Sequence, residues 1–508
     1  MDCTLAFATT NTNIDRSSLL ALKSHITFDP LNLLRENWTT ETSVCNWIGI
    51  TCDPINNRVT KLNISNMQLV GTIPHEIGNL SSLVLLDMNE NSFHGPIPAS
   101  IFNISSIQVI TLRGNALSSE LPIDMCKHSL HNLKLLRISS TKLYGEIPSS
   151  LGLCSNLELL SLYNNSHHGV VPKHIGNLTL LTRLFLGLNS LTGYFLNDRI
   201  IFDLKIFASG NIPKEIGYLN NLEMLNMAST GLDGSIPKEI GNMTSLQYIY
   251  LDNNALSGAI PQEIVQLDNL LVLSIDSNKL TGTLPSTFSN MSSVNYISLS
   301  HNMLNGTLPK EIGNMKALQE LYLINNSLTG IIPGELFTFK IRNIDLSNNH
   351  FEGFVPSTIE TSHNLTYLHL ANNRLSGFIP STFGNLINLT TLMLYSNNFI
   401  GEIPSSICKL RSLQFLHLSD NSLHGPIPKC LGELSKSLQV LHLKGNKFQG
   451  LIPPSFPQGC ALESLNLNSN NLKGTLPQTL GNCGKLQVLD VGSNAIQDGF
   501  SLLDGRSR

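Results

Sequence analysis

Residues Leu246–Pro261 read LQYIYLDNNALSGAIP, and their spacing decides the architecture. Leu246, Ile249, Leu251, Asn254, Leu256, Gly258, Ile260 and Pro261 form a skeleton that recurs from about residue 59 to 500. With Gly258 as marker, equivalent positions run from Gly71 to Asp498, eighteen in all, and 13 of the 17 gaps are 24 residues. A fixed period of this length means a stack of similar coils. Ile249 and Leu251 alternate with Tyr250, so a short strand should turn its leucines inward and its tyrosines outward. One coil cannot bury its own apolar face, and neighbours must share a core.

Other parts of the phrase have separate tasks. Asn holds the Asn254 position in 15 of 18 repeats, with Met67, Thr141 and Thr230 as exceptions. An inward amide there can satisfy backbone groups of its own coil and the next. Gly258 opens backbone angles closed to other residues. Of 23 prolines, 17 stand at the Pro261 position, where a fixed φ ends the extended segment.

The phrase resembles the plant-specific class of leucine-rich repeat, found in the ectodomains of plant receptor kinases and receptor-like proteins. The resemblance implies a β-rich α/β solenoid: a right-handed superhelix with a concave parallel β-sheet, further extended segments at the LxGxIP turn, and a helical N-terminal cap. The cap is expected over 15–57, where Trp38 and Cys45-Asn46-Trp47-Ile48-Gly49-Ile50-Thr51-Cys52 are similar to the plant cap signature. The resemblance implies a Cys45–Cys52 bridge, with Trp38 and Trp47 covering the end of the core. Ser18 to Ile26 has helical spacing, and Asp29-Pro30 reads as the start of a second helix.

Eighteen repeats are expected over 58–500, with an insertion at 194–210. Removing Tyr194 to Gly210 turns a gap of 41 residues into 24. The insertion reads as a gene-model error, a looped-out surface segment or a binding island; the coils on either side should stack in every case. Residues 1–14 read as the remnant of a signal peptide or a disordered N-terminus, and 501–508 as a disordered tail. Without a C-terminal cysteine cap in the sequence, truncation is expected. Repeats 12 to 18 resemble receptor-like proteins, whereas repeats 1 to 11 look more like a kinase ectodomain.

Cys126 with Cys154, Cys408 with Cys430, and Cys460 with Cys483 each lie one coil apart, so stacking brings them within disulfide reach; buried free thiols are the alternative. Twelve Asn-x-Ser/Thr sites suggest surface glycans: Asn37, Asn63, Asn79, Asn103, Asn164, Asn177, Asn242, Asn290, Asn305, Asn325, Asn364 and Asn388. Five of them (Asn79, Asn103, Asn177, Asn242 and Asn290) share one phase, although Asn-Leu-Ser/Thr is also part of the repeat consensus.

Charged residues make up 13% of the chain and the net charge is −4, which leaves no basic footprint for nucleic acid. No apolar run reaches the 18 residues of a membrane span. No catalytic, metal-binding or cofactor motif is present, and His167-His168 reads as a solvated pair on a turn. The outward strand positions remain. They carry Tyr163, Tyr248, Tyr250, Tyr296, Tyr322, Tyr367 and Tyr395, with His369, Phe415, His417 and His442 alongside and Asp252, Asp276, Glu320 and Asp345 nearby. Tyr250, Tyr322, His369, Tyr395, His417 and His442 are expected to share one phase and form a ligand-binding stripe. A preference of pleated surfaces for tyrosine is the plain alternative.

The expected function is extracellular ligand recognition by a plant receptor: a peptide, protein or glycan of microbial or cell-wall origin, bound for defence or developmental signalling. A co-receptor with a similar ectodomain would pair near the C-terminal repeats. The alternatives are a soluble apoplastic inhibitor of cell-wall-degrading enzymes or a non-functional receptor fragment. The expected location is the apoplast, or the cell surface if a membrane span follows.

Overall fold

The computed structural model describes residues 2–192, 210–338 and 340–497. The chain divides into two compact units, Met1–Leu270 and Leu271–Arg508. In the first, parallel three-residue strands follow one another in unbroken register, from Lys61↔Leu85 through Leu184↔Leu225 to Leu225↔Ile249. The second repeats the arrangement from Leu273↔Ile297 to Leu465↔Leu489. The paired central residues are leucine or isoleucine, and all but Leu489, which is half-buried, are buried because neighbouring coils cover one another's apolar rows. Each unit is a leucine-rich-repeat solenoid.

The expected second set of extended segments follows each strand. In the second unit it forms its own parallel ladder, Gly306↔Leu328 and Gly330↔Phe351 among its pairs. Beyond the proline of most repeats comes an element that the periodicity did not suggest, a 3-10 helix such as Gln262–Gln266, with Pro261 at φ −63° as its cap. Repeat 12 is one residue short, and its 3-10 helix shrinks to Gly334–Leu336.

Asn302 shows how the asparagine ladder works. Its Nδ2 donates to Ile275 O of the preceding coil (3.0 Å) and to Leu299 O of its own (3.1 Å), while its Oδ1 accepts from Leu280 N (3.0 Å). Thr230 keeps part of this pattern, with Oγ1 2.9 Å from both Met227 O and Asn254 Oδ1. At Met67 the backbone N–H itself donates to Asn91 Oδ1 (3.2 Å). The left-handed turn lies one residue before the asparagine, at Asn253 (φ 54°) and its equivalents.

The N-terminal cap opens with helix Asp2–His25, so the backbone shows no boundary at residue 14. The second helix is Leu33–Asn37 and begins later than Asp29-Pro30 suggested. Asp29 nevertheless caps it, because its carboxylate accepts from the N–H groups of Leu33, Leu34 and Arg35. Trp38 and Trp47 are buried and stacked, with centroids 5.4 Å apart. Strand Ile50–Cys52 adds antiparallel to the first repeat strand, closing that edge of the sheet.

All four proposed cysteine pairs are bridged: Cys45–Cys52, Cys126–Cys154, Cys408–Cys430 and Cys460–Cys483. Eleven of the twelve sequon asparagines are exposed and Asn364 is half-buried. Asn79, Asn103, Asn177, Asn242 and Asn290 each end a 3-10 helix. The insertion and the C-terminal tail lie outside the described residues, Gly210 apart. The flanking strands Arg183–Phe185 and Met224–Asn226 pair directly, as expected.

Candidate functional site

In the first unit, Tyr248 and Tyr250 stand half-buried on the outer face of strand Tyr248–Tyr250, either side of buried Ile249. Asp252 follows two residues on. Burial is the main cause that raises the Tyr250 phenol above its usual range, with Tyr248 and Asp252 adding to it. The hydroxyl is therefore held as a neutral donor.

The second unit bears the longer constellation. Tyr296 and Tyr322 lie 5.6 Å apart on neighbouring strands. Tyr322 donates to Glu320 Oε2 at 2.8 Å, and burial together with that carboxylate raises its pKa. Asp345 then gathers a small network. Tyr367 donates to its Oδ2 at 3.1 Å, and His369 Nδ1 lies 2.8 Å from the same oxygen. The Asp345 Oδ1 accepts from the Ser347 hydroxyl and N–H. His369 is thereby oriented by a carboxylate, while its buried Nε2 has no hydrogen-bond partner.

From His369 the rings continue without a break. Tyr395 is 5.8 Å away, His417 stacks on Tyr395 at 4.2 Å, and His442 meets His417 edge-on at 4.9 Å. His442 Nε2 closes the series on Ser464 Oγ at 2.8 Å. Burial lowers the His417 pKa to about 4, with His442 and His369 adding repulsion, and burial lowers that of His442 as well. Phe415 is half-buried on the same strand as His417.

Two expectations need correction. Tyr395 does not share the row of His369 and His417; the register places Met393 there. Tyr395 sits two residues further along and its ring reaches both imidazoles. The second correction concerns His167, which is fully buried rather than solvated. It occupies the leucine position equivalent to Leu256, its Nδ1 lies 3.1 Å from Gly145 O, and burial lowers its pKa to about 4. Its place two residues before the marker Gly169 could have revealed this.

The rings offer stacking area, neutral imidazole nitrogens at His417 and His442, and phenolic donors. Among the described residues no group of three or more His, Cys, Asp or Glu could hold a metal ion, and no helix is long and apolar enough to cross a membrane.

Residues 12–53 match the leucine-rich repeat N-terminal domain family. Leucine-rich repeat families match 268–323, 363–423 and 436–496, and also 58–80, 245–267, 317–339 and 340–362. The chain is 37% identical over 91 residues to the LRR receptor-like serine/threonine-protein kinase EFR of Arabidopsis thaliana, a stretch covering 18% of this chain and 9% of that protein. The ectodomain of the receptor kinase GASSHO1/SCHENGEN3 from Arabidopsis thaliana, solved with CASPARIAN STRIP INTEGRITY FACTOR 2, superposes with a TM-score of 0.81 at 35% identity. That match covers 96% of this chain and 59% of the other. PEPR1 with AtPEP1 gives 0.77 at 30% identity, covering 95% and 72%.

Proposed function

Because this chain belongs to the plant leucine-rich-repeat receptor family, we propose that it is an extracellular recognition module binding an extended peptide across its strand face. The observation that carries this reading is the unbroken ring series His369–Tyr395–His417–His442 in the second unit. Outward aromatic groups with polar tips supply contact area and hydrogen bonds at low entropic cost. A row spaced by the strands suits an extended chain, whose side chains recur at comparable intervals. The plant peptide hormone receptor RGFR1, solved in complex with RGF2 and similar to this chain at 29% identity with a TM-score of 0.73, supports the same class of ligand. The repeats after Asn388 carry no sequon, which leaves them free of glycan for a co-receptor. Signalling would come from a kinase outside these repeats; the matches to receptor kinases cover only small parts of those proteins.

The test is a random peptide library panned against the immobilised chain. Selected peptides should lose at least about tenfold in affinity for a Tyr322→Ala, Tyr395→Ala, His417→Ala triple variant, the size expected when central aromatic contacts are removed. Peptides that bind wild type and a folded triple variant equally would refute the reading.

A further inference from the structure

The first unit holds another feature on its strand face, a hollow of about 360 Å³, within the range of roughly 300–1,000 Å³ usual for ligand sites. Register builds it. Arg137, Ser161, Phe185 and Asn226 occupy one row on four successive strands. Two residues further along, Ser139 and Tyr163 form a second row, joined to the first by a 2.6 Å contact between the Ser139 and Ser161 hydroxyls. Arg113 enters from the preceding coil.

Gly187 lets Asn226 and Tyr163, both of which line the hollow, pack close against the backbone beside it. A Cβ there would come within 2.6 Å of Asn226 Oδ1 and 3.1 Å of Tyr163 Cε2. The Tyr163 ring therefore borders bare backbone at a place where most repeats carry a side chain.

The charges are one-sided. Arg113 reaches Glu90 Oε1 at 3.4 Å, but both side chains are about half exposed, and such pairs are weak. None of the ion pairs among the described residues includes Arg137. Asp87 shares its row two strands away, and no carboxylate lines the hollow. Two guanidinium groups and serine hydroxyls thus face Tyr163 and Phe185. A guanidinium offers paired N–H donors that match an oxyanion, and the rings can bury an apolar group beside it. A neutral ligand would cover Arg137 without giving it a counter-charge, at a desolvation cost.

We propose that this hollow is an anion-selective subsite. It takes an oxyanion, a carboxylate or a phosphate ester, on Arg137 and Arg113, with an adjoining apolar group against Tyr163 and Phe185. The proposal rests on the strand face being the ligand surface, yet a fragment can test it without the natural ligand. The probes are 3-phenylpropanoate, benzyl phosphate and uncharged 3-phenylpropanamide, titrated into the full chain by calorimetry or ligand-observed NMR.

At least one anion should saturate a single site, and the stronger of the two identifies the source of the oxyanion. The amide should bind at least about tenfold more weakly, binding should weaken as salt rises, and Arg137→Gln should reduce it at least about tenfold. Lys447→Gln, at an exposed position in the other unit, should leave fragment binding unchanged. Equal binding of amide and anions, absence of binding by both anions, or an Arg137→Gln variant as good as wild type would each overturn the subsite. None of these results bears on the peptide panning in the second unit, so the two readings fail separately.

Discussion

Tyr395 lies nearly face to face with His417, centroids 4.2 Å apart and planes inclined by 24°, although the two residues stand in different rows of the sheet. The contact helps to keep His417 out of water, and burial is the leading cause of its pKa of about 4. Replacing Tyr395 by alanine should admit water and move the His417 titration up by about one unit toward its ordinary value. Proton NMR of the imidazole across pH 3–8 would measure it. An unmoved midpoint would mean that the neighbouring histidines suffice.

His167 fills a leucine position in the core of the first unit. Its folded pKa of about 4 lies below the unfolded value near 6.5, so the unfolded chain takes up the proton first. Stability should fall as pH drops below about 6.5 and level off near 4, by about 3 kcal/mol in all if burial is complete. His167→Leu should remove that pH dependence from the first unit and stabilise it at pH 5. Denaturant midpoints at pH 5 and pH 8 would check the change; parallel pH dependence in variant and wild type would rule it out.

Asn302 bonds three carbonyls, Ile275, Leu299 and Ser300, and one N–H in two adjacent coils. Asn302→Ala strands these buried groups and should cost about 2–4 kcal/mol, since each unmade bond costs about 1–3 kcal/mol and the losses are only partly additive. Hydrogen exchange should accelerate first at Leu280 N–H, whose acceptor is lost. Exchange no faster at Leu280 than elsewhere would argue that water replaces the amide.

Asp15, fully buried, accepts from Arg58 Nε and Nη2 and from Val59 N–H, each at 2.9 Å. Removing one partner of such a pair leaves an unpaired buried charge, so Asp15→Ala should cost about 3–5 kcal/mol. The loss should loosen the cap against the first repeat, read as faster exchange over residues 12–62. A cap that keeps its protection would show that the tryptophan stack and Cys45–Cys52 hold it without the ion pair.

Much of this was legible in the residues. The metre of the repeat implied the stacked strands, the buried leucines and the asparagine ladder, because each follows from position within one coil. Cys126 with Cys154 and Cys460 with Cys483 could be paired on the same ground. The 3-10 helices were missed because their marks, a proline followed by a short polar run, resemble those of an ordinary turn. His167 was misplaced because a histidine beside another before a glycine suggests exposure, whereas its phase assigns it to the core.

By itself the sequence determined the repeating coil and which side chains face outward, since backbone geometry turns every second strand residue to the same face. Only the tertiary structure decided which outward groups meet. Strands lie about 4.8 Å apart and same-face rows about 6.6 Å apart along each strand, both within the reach of a tyrosine or arginine side chain, so a ring can cross from its own row into the next. For that reason Tyr395 joins His369 to His417 across Met393, and Arg137 and Tyr163 face one hollow that no single repeat encodes.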